Sequence, residues 1–350
     1  MRNLFLLFIC TLFSLPTYAQ WQRGLTRGIT SGSTRTLATQ RTINQALRKN
    51  ILSTKTLLKS TLVLNPNDDS SSLYAWDNMK ASAFVFEENY NGKTYLWGAT
   101  AAHYFFQKPS LENSEFGIVP IEIIAQGHYD GNDIALFPIP DKVQKYVHPL
   151  KLAAHSAKKG ETLVSAGYFD DGFQIEKDRV VTKVLPTRIL TSLVVEDKLA
   201  REGACGGPVL NARREVVGMH VGSSDKRQEG FVVPVEHIYE ILQAYHNNAE
   251  FFRPLYFNGK MLGQININEF VQYIETWKGD KLLERFDSHS KRALIDYNHL
   301  EKWVDVSQAD KVVLIIERVP FSTVQQDQRT HEFELTYDLK TGQIKNEANF

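Results

Sequence analysis

Three short stretches of this chain set reactive side chains among small or apolar neighbours. "REGACGGPVLN", residues 201–211, places Cys205 between a glycine turn and Gly206-Gly207-Pro208. "YLWGATAAHYF" (95–105) places His103 just after an apolar run. "GNDIALFPI" (131–139) places Asp133 at the entry to another. A catalytic thiol needs a base beside it to form its thiolate near neutral pH. The base needs a carboxylate that holds one tautomer. The oxyanion that develops needs backbone N–H groups already aimed at it. Cys205, His103 and Asp133 fill the first two roles by type. Gly203 and Gly206-Gly207 suit the third, because glycine permits a sharp turn and close approach of substrate to the backbone. Asp130 is the nearest competitor to Asp133.

The order is His, Asp, then nucleophile, at intervals of 30 and 72 residues. Here the sequence resembles the chymotrypsin-like proteases. Thr100-Ala101-Ala102-His103, Asp133-Ile134-Ala135-Leu136 and Gly203-Ala204-Cys205-Gly206-Gly207-Pro208 match their three motifs in order. The resemblance spans about residues 75–248. It implies two packed six-stranded antiparallel barrels with the site in the cleft between them. It also implies a triad of His103, Asp133 and Cys205, with the N–H groups of Gly203 and Cys205 as the oxyanion hole. The nucleophile is Cys rather than Ser, as in the picornaviral members. Ala204 replaces the aspartate through which trypsin-type zymogens switch on.

The residues expected to line the substrate pocket follow from the same resemblance. Leu199 stands where trypsin-type enzymes carry an aspartate, so a basic P1 residue is disfavoured. Ala200 stands where the viral enzymes usually supply a hydroxyl. His220, in "VVGMHVGSS" (216–224), matches the histidine that selects glutamine at P1 in the viral enzymes. Glutamyl endopeptidases also carry a histidine in this strand. Backbone groups near Gly222 are expected to pair with extended substrate. A neutral imidazole donates one N–H to a carboxamide oxygen, so Gln is expected over Glu near neutral pH, with Glu gaining as pH falls. The competing reading is a catalytically silent trypsin-fold protein that binds peptides or serves at a surface.

The rest of the composition bounds this picture. The 350 residues hold two cysteines, Cys10 and Cys205. "MRNLFLLFICTLFSLPTYAQ" has a basic start, a short apolar core, and Thr17 and Ala19 before Gln20. That pattern reads as a cleaved secretory leader, residues 1–19, and a secreted or periplasmic protein. Cleavage leaves Cys205 as a lone thiol with no internal disulfide partner. No other apolar run is long enough to span a membrane, so no stable insertion is expected after cleavage. Net charge is formally zero, which gives no field that points to nucleic acid. Residues 20–67 carry eight Lys or Arg and no acid; the remainder of the mature chain is net −9. That asymmetry motivates an inhibitory strap or propeptide in 20–67. No H-E-x-x-H, C-x-x-C or Walker-type loop is present, so no metal and no cofactor are expected.

The elements that must position these residues are mostly strands. "ASAFVFEENYNGKTYLWGA" (81–99) reads as a hairpin about Asn91-Gly92. "FGIVPIEIIAQG", "TLVSAGYF", "RVVTKVLP", "TSLVVED", "GPVLNARREVVGMHVG" and "GFVVPV" follow as short strands. "PVEHIYEILQAYHNN" (234–248) has the i, i+3, i+4, i+7 spacing of a closing helix. Residues 20–74 read as a basic, partly helical segment and linker, and 75–248 as the peptidase domain. Residues 249–350 read as a small α+β module of unknown role. In it, Asn268 is expected to cap a helix bearing Phe270, Val271, Ile274 and Trp277. His289 and His331 lack metal-ligand spacing. His128, His148, His155, His237, His246 and His299 carry no motif and read as surface or packing residues.

Overall fold

A computed structural model describes residues 54–65, 80–104, 106, 108–169, 172–193, 203–224, 226–324 and 330–348. All of them belong to a unit that runs from Asn44 to Phe350. The leader, Cys10, and residues Leu199 and Ala200 lie outside the described residues.

Seven short strands form the first sheet. They are β1 (Thr61–Asn65), β2 (Ala81–Tyr90), β3 (Lys93–Thr100), β4 (Ser110–Asn113), β5 (Gly117–Pro120), β6 (Ala125–Gln126) and β7 (Ala135–Pro138). Their order is β5-β4-β1-β2-β3-β7-β6, antiparallel throughout. The β2–β3 hairpin turns at Asn91 and Gly92, both at positive φ, as the right-handed strand twist favours. Leu62, Leu64, Val85, Leu111 and Phe137 pack inside its curve.

The second sheet holds β8 (Lys151–Leu152), β9 (Thr162–Phe169), β10 (Gly172–Val184), β11 (Ile189–Ser192), β12 (Pro208–Leu210), β13 (Glu215–Ser224) and β14 (Glu229–Pro234). β9, β10, β11, β14, β13 and β12 pair around a closed ring, and β8 joins β13 from outside in parallel. The fold is therefore mostly β, a closed six-stranded barrel beside a half-barrel. The double antiparallel barrel expected from the sequence is present, and only its first sheet departs from the expected six strands. It has seven strands, and no pairing joins β5 to β6 among the described residues.

Among the described residues the α-helices are α1 (Thr54–Ser60), α2 (Asp141–Gln144) and α3 (Glu236–His246). The apolar face of α3, Ile238, Ile241 and Leu242, shares one core with Phe84 and Leu136 of the half-barrel and Val233 of the closed barrel. That shared core ties the two barrels together.

Two readings of the sequence need correction here. Residues 54–65 are not part of a detachable basic segment. β1 sits between β2 and β4, and Leu57 and Leu64 are fully buried. Phe270, Val271, Ile274 and Trp277 lie on strand β17 (Glu269–Lys278), not on a helix. Its register slips between Val271 and Tyr273. The extra residue turns the strand's period of two into a local spacing of three, which mimics a helix.

The C-terminal module is therefore β-rich. β15 (Phe252–Phe257) pairs with β16 (Lys260–Asn266). β18 (Lys281–Asp287), β17, β19 (Lys311–Arg318), β20 (His331–Asp338) and β21 (Ile344–Ala348) form a sheet in that order. Two 3-10 turns, His289–Leu294 and Leu300–Trp303, follow β18 among its described residues. The module docks on residues 121–133 of the half-barrel. Gln126 N–H donates to Phe321 O (2.8 Å), Thr323 N–H to Ile123 O (2.9 Å) and His128 N–H to Ile267 O (3.1 Å).

Because β1 is an interior strand, Leu64→Ala is expected to destabilise the protein by about 2–5 kcal/mol, read as a denaturant midpoint shift. A chain begun at residue 75 is expected to show no cooperative unfolding transition. A truncated chain as stable as the full one would contradict this placement of β1.

Candidate active site

The half-barrel supplies two of the three candidate groups. β3 ends at Thr100, and the 3-10 turn Ala102–Tyr104 that follows carries His103 out of the sheet. Asp133 sits just before β7 in a tight turn, where Ile134 N–H donates to Asn132 O (2.6 Å). β3 and β7 are paired neighbours, so the two residues meet at one end of the sheet. Asp133 is buried and binds His103 twice. Its Oδ1 accepts the His103 backbone N–H (3.0 Å), and its Oδ2 lies 2.9 Å from Nδ1. This grip fixes both the main chain and the ring, and it turns Nε2 away from the carboxylate. Cys205, half-buried, stands near enough to the ring to help raise its pKa.

Burial of His103 opposes its protonation. The charge and hydrogen bond of Asp133 outweigh it, helped by Cys205, and push the imidazole from 6.5 up to about 10.

The Cys205 loop belongs to the closed barrel and is pinned from the half-barrel by Ser82. Ser82 N–H donates to Cys205 O (2.9 Å), and its Oγ donates to Gly203 O (2.8 Å) and accepts the Tyr168 N–H (2.7 Å). Gly206, at φ 92°, passes so close that a Cβ would come 1.9 Å from Ser82 O. Gly206 N–H is bound to His220 O (2.7 Å) and Gly207 N–H to Ala204 O (3.0 Å). The amides of Gly203 and Cys205 have no acceptor among the described residues. These are the two that the resemblance implies.

His220, on β13, is buried behind this loop and adjacent to it through paired backbone bonds with Gly206 and Gly207. Arg179, fully buried on β10, places Nη1 3.3 Å from His220 Nδ1. The same guanidinium donates to Thr191 Oγ1 and Glu176 Oε2. A guanidinium has donors only, so Nδ1 accepts and the ring proton sits on Nε2. Gly222 follows His220 beyond a register slip on β13, with φ 150°.

Asp130 is not the partner of His103. It is buried and bound by two residues of the C-terminal module, His289 Nδ1 (2.8 Å) and Arg292 Nη1 (2.7 Å). Arg188, also buried, donates to Gly131 O (2.8 Å) and Thr187 O (2.7 Å) and lies 3.9 Å from Asp133 Oδ2. Ser82, Arg179, Arg188 and the Asp130 clamp escape a reading of the sequence, because each acts through residues far along the chain. Among the remaining histidines, His128 faces Glu317 and His246 faces Glu88, both as packed, paired groups.

The raised value of His103 makes the pair a pH-dependent stabiliser. The folded value lies above the unfolded one. The stability that His103 contributes is therefore full below pH 6.5 and lost as pH rises through about 10. Unfolding free energies of wild type and His103→Ala are expected to converge over that range. A gap that widens with pH would contradict the assigned pairing.

No family model and no curated protein matches this chain. Among solved structures, it is similar to the inactive form of the Rv3671c protease at 18% identity and a TM-score of 0.41, over 57% of this chain and 95% of that one. The active form of that protease from M. tuberculosis gives 16% identity and 0.40, over 65% and 93%. A serine endoprotease from Yersinia pestis gives 11% identity and 0.46, over 87% and 97%. Likenesses of this order carry no argument about the activity of the present chain.

Proposed function

We propose that this protein is a cysteine endopeptidase, exported on the leader-like segment 1–19, that hydrolyses peptide bonds through Cys205, His103 and Asp133. One observation carries the reading. Asp133 is hydrogen-bonded to His103 through both backbone and ring, and Cys205 stands near enough to that ring to act on it, in a series beside two amides that have no acceptor among the described residues. A site kept only for peptide binding has no need of that series.

In the proposed reaction the thiolate of Cys205 attacks the peptide carbonyl carbon and a C–S bond forms. The carbonyl oxygen gains the negative charge and is received by the N–H groups of Gly203 and Cys205. His103 gives its proton to the leaving nitrogen, the C–N bond breaks, and an amine departs. Water then loses a proton to His103 and attacks the thioester. The C–S bond breaks, an acid is released, and the thiolate returns. Asp133 orients the ring throughout.

The tautomer of His220 supports glutamine at P1. With Nδ1 turned to Arg179, a ring proton on Nε2 is the donor that this reading assigns to the carboxamide oxygen.

Cys205→Ala and His103→Ala are each expected to lower peptide hydrolysis by roughly a thousand-fold or more while the protein stays folded. Rapid alkylation of Cys205 near neutral pH is expected in wild type and is lost in His103→Ala. His220→Ala is expected to remove about 1–3 kcal/mol of Gln preference in cleavage-site profiling. Substantial turnover by purified Cys205→Ala would overturn the mechanism, and a wild-type preference for Arg, Lys or large aromatics at P1 would overturn the pocket alone.

A further inference from the structure

A cleft of about 530 Å³ opens where the closed barrel, the Asp133 turn and the C-terminal module meet. Leu190, Val221 and Phe231 line its barrel side, and Lys291, Arg292 and Leu294 its module side. Lys183 and Arg227 stand on the barrel side as well, both exposed. Five of the lining residues are Lys or Arg, against two acids, Asp133 and Glu229.

The cations are not equivalent. Arg188 is committed to backbone carbonyls and Asp133, Arg292 to Asp130, and Arg227 to Glu229 at 3.5 Å. Lys183 and Lys291 are exposed and have no ion-pair partner among the described residues. Two uncommitted ammonium groups, one from each side, thus overlook an apolar floor.

The position of the cleft says what reaches it. Val221 lies at the register slip between His220 and Gly222, so it has no partner residue on β14. A peptide extended along Val221–Gly222 with its P1 side chain at His220 lays its preceding residues over the cleft. We infer that the C-terminal module is one wall of the substrate site, and that the cleft receives an acidic side chain at P2 to P4 of the peptide. The inference rests on the peptidase reading of Cys205, His103 and Asp133. The module then serves recognition, with Lys291 and Lys183 as specificity-determining residues.

The test uses three peptides with glutamine at P1 that differ only at P2 to P4: all neutral, glutamate-bearing, and lysine-bearing. Wild type is expected to cleave the glutamate peptide about five- to ten-fold better in kcat/KM than the lysine peptide at low salt. The ratio should shrink as ionic strength rises. Lys183→Glu/Lys291→Glu is expected to invert the ratio, and Lys291→Glu alone to reduce it. Equal cleavage of the two charged peptides by wild type, or an unchanged ratio in the double variant, would overturn the inference while leaving the peptidase reading intact. Anisotropy of the labelled, uncut peptides on Cys205→Ala separates the two further. Charge-selective binding with no cleavage by wild type would sustain the cleft and remove the peptidase. Neither binding nor cleavage would remove both.

Discussion

The candidate site depends on one buried serine. Ser82 belongs to the half-barrel, yet all but one of its polar contacts serve the closed barrel. It donates to the carbonyls of Cys205 and Gly203 and accepts from Tyr168, and its own carbonyl accepts from Thr100 Oγ1 at 2.8 Å. Thr100 ends the strand from which His103 emerges. The Cys205 loop and the strand that leads to His103 are thus referred to the same residue. Such a reference matters because a displacement of about 1 Å between reacting groups is enough to lose much of their effect. The fully buried position of Ser82 makes each of these bonds more demanding, since a buried polar group left unpaired costs about 1–3 kcal/mol.

The acid is held from a different direction. Asp133 ends a turn whose outer side is fastened to the C-terminal module. His289 and Arg292 hold Asp130, Glu317 holds His128 and Tyr129, and Arg188 ties Gly131 to the closed barrel. Thr187, next to Arg188, donates to Arg292 O at 3.1 Å and completes the link between barrel and module. Three parts of the fold converge on a segment of six residues, 128–133. The module is structural support for the acid before it is anything else.

What was legible in the sequence was the meeting of His103 with Asp133 and the local structure of the elements that carry them. Cys205 announces itself through flanking glycines that only a crowded turn requires. The helix 236–246 and strand β9 follow from short-range periodicity alone. What was not legible depends on partners distant in sequence. Ser82 sits in "ASAFVF", where it reads as one more strand residue. The Asp130–His289 contact joins residues 159 apart, and no local pattern signals it. Leu62, Val63 and Leu64 were hidden by the charge of the segment around them. The bulge in β17 misled in another way, because a single extra residue gives a strand the spacing of a helix.

The docking of the module also orders events during folding. Ile123 meets Thr323 across 200 residues and Gln126 meets Pro320 across 194. Contacts this remote must close large loops before they return any stabilisation, so they form late and slowly. During synthesis the chain completes its Cys205 loop well before the residues that brace the Asp133 turn exist. The thiol and its acid are therefore assembled at different times. A site built in that order reaches its final geometry only after the rest of the molecule has been made.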